Sequence, residues 1–129
     1  MTNQILVVMS HKLNQSQVQG LNDINLTPIS LADINSDLAN QCKSINPNAS
    51  SSEIQNIADG VVETAQSSGV THLMLQGEPS LFFAAVTTAK ASGINCLIST
   101  TERVSVEKVQ DDGSVIKTNV FKHVQFREL

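Results

Sequence analysis

A chain of 129 residues, 40% hydrophobic and 16% charged, has the proportions of one globular domain able to bury a core without disulfides or metals. Its net charge of -4 argues against a general binder of long nucleic acid, and no apolar run approaches the length of a membrane span. Four Phe, no Trp and no Tyr leave the core to Ile, Val, Leu and Ala, the composition of a parallel sheet covered by helices.

The first element is the run Ile5-Leu6-Val7-Val8-Met9, a strand buried on both faces, which ends at Ser10-His11. With no charged leader before it, the chain reads as cytoplasmic. Residues 14–20 form a short helix stopped by Gly20, and a weak second strand lies near Leu26 to Ile29. Residues 35–52, rich in Asn, Ser and Gln, read as a loop with a turn of helix around Leu38 to Lys43. Ser50 and Glu53 have the spacing of a capping box. After them Ile54, Ile57, Ala58, Val61, Val62 and Ala65 make one helical stripe, stopped by Gly69. Val70 to Leu75 is a strand, Gln76-Gly77-Glu78 a tight turn, and Pro79 opens a helix ended by Gly93. Ile94 to Ile98 is a further strand, which completes a βαβ unit. Past Ser99-Thr100-Thr101-Glu102-Arg103 the pattern becomes a hairpin turning at Asp111-Asp112-Gly113. Alternation in its last strand puts Lys117, His123 and Arg127 on one face, and Val120, Lys122, Val124 and Phe126 on the other. The fold class is therefore α/β: a Rossmann-like, open, mostly parallel sheet with flanking helices and a C-terminal β-hairpin, in a single domain spanning 1–129.

Open α/β sheets bind ligands beyond the carboxyl ends of their strands. Three polar clusters fall at such ends: Ser10-His11-Lys12, Gln76-Gly77-Glu78 and Thr100-Thr101-Glu102-Arg103. Parallel strands would bring all three to one sheet edge. Gly77 either lets the backbone approach a ligand or only permits a tight turn. Glu78 either serves chemistry or caps its own helix. His11 is a proton-transfer group or a phosphate donor, unless it is structural. Arg103 has the fork geometry for phosphate, unless it pairs with Glu102 or Glu78. Thr100 and Thr101 either donate hydroxyls to phosphate or close the strand end. Five of the eight basic residues lie in the last 27, so a small anion could be held there despite the acidic total. Cys42 and Cys96 form no CxxC pair, and Cys96 sits in an apolar run as a buried hydrophobe. Neither a P-loop nor the GxGxxG, GxSxG or HExxH motif appears, so no cofactor or metal is expected. The residues alone reach a nucleotide- or phosphate-sized ligand.

The strand ending in Ser10-His11, the Gln76-Gly77-Glu78 turn, Thr100-Thr101-Glu102-Arg103, Asp112-Gly113 and the closing stretch from Val120 to Arg127 together resemble the Csx-twenty family of small type III CRISPR accessory proteins. The resemblance implies a CRISPR-associated Rossmann-like fold, usually dimeric, acting as a ring nuclease. Such a protein binds cyclic oligoadenylate and cuts it without metal, by attack of a ribose 2′-hydroxyl on its own 3′-phosphate. It further implies a site drawn from His11, Glu78, Thr100, Thr101, Arg103, Lys122 and His123. Arg103 and Lys122 would meet phosphate charge, and His11 or His123 would move protons. The competing expectations are a cyclic oligoadenylate sensor or sponge that does not cut, and an unrelated α/β enzyme acting on a phosphorylated metabolite.

Overall fold

The computed structural model describes residues 3–129; Thr2, which precedes the first strand, lies outside them. Strand β1 (Asn3–Val8) leads through helix α1 (Gln15–Asp23) to β2 (Leu26–Ser30). Three helices follow, α2 (Leu31–Ile34), α3 (Ser36–Lys43) and α4 (Ser51–Ser67), and then β3 (His72–Leu75). Helix α5 (Pro79–Ala91) leads to two long strands, β4 (Asn95–Val109) and β5 (Val115–Glu128). The sheet order is β2-β1-β3-β4-β5, parallel except for the final antiparallel pair. This is the expected α/β class, with a mostly parallel sheet, flanking helices and an antiparallel pair at the C-terminus.

The alternating faces of β1 explain the layers. Leu6 and Val8 join Leu73, Leu75 and Cys96 under helices α2 to α5. Ile5 and Val7 join Met74 and Leu97 on the opposite face, where α1 supplies Leu21 and β5 supplies Phe126. Each fully buried aliphatic side chain contributes about 1.5–3 kcal/mol, so the first cluster carries most of the stability. The local signals act where the sequence places them. The Ser50 hydroxyl accepts from Glu53 N (3.1 Å) at the start of α4, and Gly69 takes φ 71° after its end. Pro79 stands in the first turn of α5. Cys96 is buried as expected.

Three expectations are corrected. Gly20 does not stop α1, which continues to Asp23. A Cβ at Gly20 would lie 3.1 Å from the Phe126 ring and 3.3 Å from His123 Nε2, so the glycine is a packing seat for β5 inside the helix. Second, β4 does not end at Ile98 but runs unbroken through Thr100-Thr101-Glu102-Arg103 to Val109. Third, strict alternation fails in β5. Thr101 pairs with His123 but Thr100 with Gln125, so Val124 is the extra residue of a bulge. The bulge brings His123 and Phe126 onto one face, their rings 4.6 Å apart. The expected separation of His123 from Phe126 is thereby reversed.

Candidate functional site

The site begins with topology. From β1 the chain passes through α1 to β2 at one edge, then crosses back over the other face to β3 on the far side of β1. Connections leaving neighbouring strands in opposite directions open a crevice at the carboxyl ends of β1 and β3. A cavity of about 300 Å³ lies there, lined by Met9 and Ser10 after β1, Gln76, Gly77 and Glu78 after β3, and Ser30, Cys42 and Lys43 from β2 and α3. A second, of about 570 Å³, shares Met9, Ser10, Ser30, Ala32 and Lys43 with it and adds His11, Lys12 and Asp33. Together they form one cleft with apolar walls of Val7, Val8 and Leu31, able to seat a nucleotide-sized ligand.

Two of the three clusters expected at the strand ends therefore meet. The His11 Nδ1–H donates to the Lys12 carbonyl (3.1 Å), which leaves Nε2 as the basic nitrogen of the neutral ring. Lys12 and Lys43 supply positive charge to the cleft, against the carboxylates of Asp33 and Glu78. Glu78 is engaged as the N-cap of α5: it accepts from Leu81 N (2.9 Å) and from the Ser80 hydroxyl. The Ser80 hydroxyl first, and the Leu81 N–H second, hold its carboxyl below the usual range. Gly77 has no atom within 4 Å of where a Cβ would stand, and its φ is not positive. Neither steric crowding nor turn geometry demands glycine there. What it leaves is open space at the cavity wall.

The third cluster lies elsewhere. Thr100, Thr101 and Arg103 are mid-strand and, with Lys122 and His123, line neither cavity. The Thr100 hydroxyl donates to the Gln125 carbonyl (3.1 Å) and accepts from Gln125 N (3.2 Å), which fixes the bulge. Arg103 stacks over Phe121, 5.4 Å from the ring centre, as a cation–π pair. Lys122 stands in register with Glu102.

His123 belongs to a relay beneath α1. Asn14 N donates to Gln17 Oε1 (3.0 Å), which turns the amide so that Nε2 donates to the Ser99 hydroxyl (3.3 Å). The hydroxyl is in turn hydrogen-bonded to His123 Nδ1 (2.5 Å). Burial holds the His123 ring below the usual imidazole value. His72 is lowered in the same way, with Glu128 opposing. Among the described residues, no three His, Cys, Asp or Glu side chains gather as a metal site would need.

The polar and sulfur-bearing cleft residues that sequence reasoning missed are Ser30, Asp33, Cys42 and Lys43. Ser30 caps α2, its hydroxyl accepting from Ala32 N (3.3 Å). Burial pushes the Cys42 thiol up to about 11, which favours the protonated thiol in the cleft wall. A serine just before an apolar residue was the one available signal for the Ser30 cap. Nothing local marked Lys43.

The sequence profile of the uncharacterized protein MJ1673 family matches residues 3–127. The chain belongs to the MJ1673 family. No curated protein and no solved structure matches it. The match spans the whole cleft of this MJ1673-family protein and nearly all of its hairpin, from the start of β1 to Arg127 in β5.

Proposed function

We propose that this protein binds a phosphate-bearing, nucleotide-sized ligand in the cleft beyond β1 and β3. As the resemblance to the Csx-twenty family implies, that ligand is cyclic oligoadenylate, which the protein cuts to end a type III CRISPR signal. One observation carries the reading: Lys12, Lys43 and His11 stand around a walled cleft at the switch point of the sheet. The identity of the ring rests on the resemblance alone.

In this mechanism the 2′-hydroxyl of one adenylate attacks its own 3′-phosphorus. The bond from phosphorus to the next 5′-oxygen breaks, leaving a 2′,3′-cyclic phosphate and a 5′-hydroxyl. His11 Nε2 takes the 2′ proton, and water protonates the departing oxygen. The Lys12 and Lys43 ammonium groups offset the charge growing on the phosphate oxygens. No metal or cofactor takes part. A cytoplasmic homodimer would offer two clefts to a ring of two-fold symmetry.

A second reading is favoured by particular observations. Glu78 is committed to its helix cap, and Arg103 and His123 line neither cavity, so His11 is the one imidazole at the cleft. A cleft with so little proton-transfer machinery suits a sensor or sponge that holds the ring intact.

Incubation with cyclic tetra-adenylate and cyclic hexa-adenylate in EDTA, followed by chromatography, separates these readings. Linear products, lost in His11→Ala while binding persists, are expected for the nuclease. An intact ring that raises the melting temperature identifies the sensor. Binding of neither ring removes both.

A further inference from the structure

The arm formed by β4 and β5 has two unlike faces. β4 pairs with β3 only at Asn95 and Cys96, so beyond that point it has only β5 beside it. On one face polar pairs occupy the middle of the ribbon, with exposed apolar residues only at its ends, Phe121 at one and Val109 with Val115 at the other. Arg103 stacks on Phe121, the Ser105 hydroxyl donates to Asn119 (3.2 Å), and Lys117 pairs with Glu107 (3.6 Å). On the other face Val104 pairs with Val120, Val106 with Thr118 and Ile116 with Lys108. Those four apolar side chains are 37–49% exposed and stand at neighbouring positions in the middle of the ribbon. A two-stranded ribbon is marginal by itself in water.

We infer that this apolar face is where a second copy of the chain docks, with the two hairpins crossing antiparallel about a two-fold axis. The charge pattern selects this occupant. Along β4 the face reads Glu102, Val104, Val106, Lys108, a series that becomes its own complement when reversed. An antiparallel copy sets each Glu102 against the partner's Lys108 and each Val104 against the partner's Val106. Among the described residues, neither Glu102 nor Lys108 closes an ion pair within its own chain, although Lys122 stands across from Glu102 on the same face. An isologous contact needs this kind of self-complementarity, and a different protein would have no reason to match it. This interface rests on the two-fold assembly of the functional reading and not on the ring, so it is tested with no ligand present.

Sedimentation equilibrium of the full chain across a concentration series should show a dimer. Val120→Glu should weaken it about a hundredfold, because the new carboxylate would be buried against its own copy. Glu102→Lys should weaken it about tenfold, and adding Lys108→Glu to that variant should restore it. Ser105→Glu, on the opposite face, should leave it unchanged. Circular dichroism checks that Val120→Glu folds, and the charge-reversal pair carries the test if it does not. A monomer at every concentration overturns the interface. So does a dimer indifferent to both Val120→Glu and Glu102→Lys. Ring binding by a monomer would leave the ligand assignment standing without this surface, and a dimer that ignores the ring would do the reverse.

Discussion

The Ser99 hydroxyl is the hinge of the polar relay under α1, since it accepts from Gln17 and is hydrogen-bonded to His123 Nδ1. Gln17 is 5% exposed, so its amide has little access to water. Ser99→Ala would strand that amide and should cost about 1–2 kcal/mol by chemical denaturation. The pH dependence follows from His123. Its pKa is lowered in the fold by burial, so folding favours the neutral ring. The associated stability is complete above the ordinary imidazole value of about 6.5 and is lost as the pH falls through the lower folded value. Melting temperature should therefore decline below about pH 6.5, and His123→Gln should flatten part of that decline. Glu78 and Asp112, both lowered by hydroxyl and backbone donors, act only further down, in the carboxylate range. At the cleft, Gly77→Ala has room and no positive φ to relieve, so thermal stability should hold or rise slightly. Ligand affinity should fall if the open wall at Gly77 is contact surface. Unchanged affinity in a calorimetric titration would show that the ligand does not reach that wall.

Among the described helices, α1 alone covers its face of the sheet, and its closeness to β5 depends on one missing side chain. Gly20→Leu should push Phe126 and His123 aside and cost about 2 kcal/mol, despite the better helix propensity of leucine. Intact stability would mean that the rings move freely and that β5 is not held at this seat. The same region shows what could be read in advance. Strands β1 and β3, the Ser50 cap, the stripe of α4 and the Pro79 start of α5 were all legible, because apolar periodicity and capping act within a few residues. The extent of β4 was not. A ribbon in solvent demands no apolar alternation, so Thr100 to Arg103 looked like the end of a strand. Nor could sequence distinguish Gly20 as a helix terminator from Gly20 as a packing seat, since the deciding atoms lie about a hundred residues away on β5. Of the cleft, Ser10-His11-Lys12 and Gln76-Gly77-Glu78 were legible as strand ends. Lys43 was not, because only the tertiary packing of α3 against α2 and α4 brings it there.

At the scale of the whole molecule, the structure divides into a domain covered on both faces and an arm covered on neither. That division predicts two classes of amide hydrogen exchange. Amides of β1 and β3 lie between buried layers and open only with the domain. Amides of the arm beyond Arg103 are held by one antiparallel ladder, with the Asp112 and Gly113 turn as its only closure. In isolated chains they should exchange about a hundredfold or more faster than β1. A docked second copy changes this selectively. Raising the protein concentration should slow exchange in the arm, leave β1 and β3 unchanged, and lose its effect in Val120→Glu. Protection of the arm that is strong and independent of concentration would mean that the ribbon is stable within its own chain. Val104, Val106, Ile116 and Val120 would then need no cover, and the physical reason for a second copy would be gone.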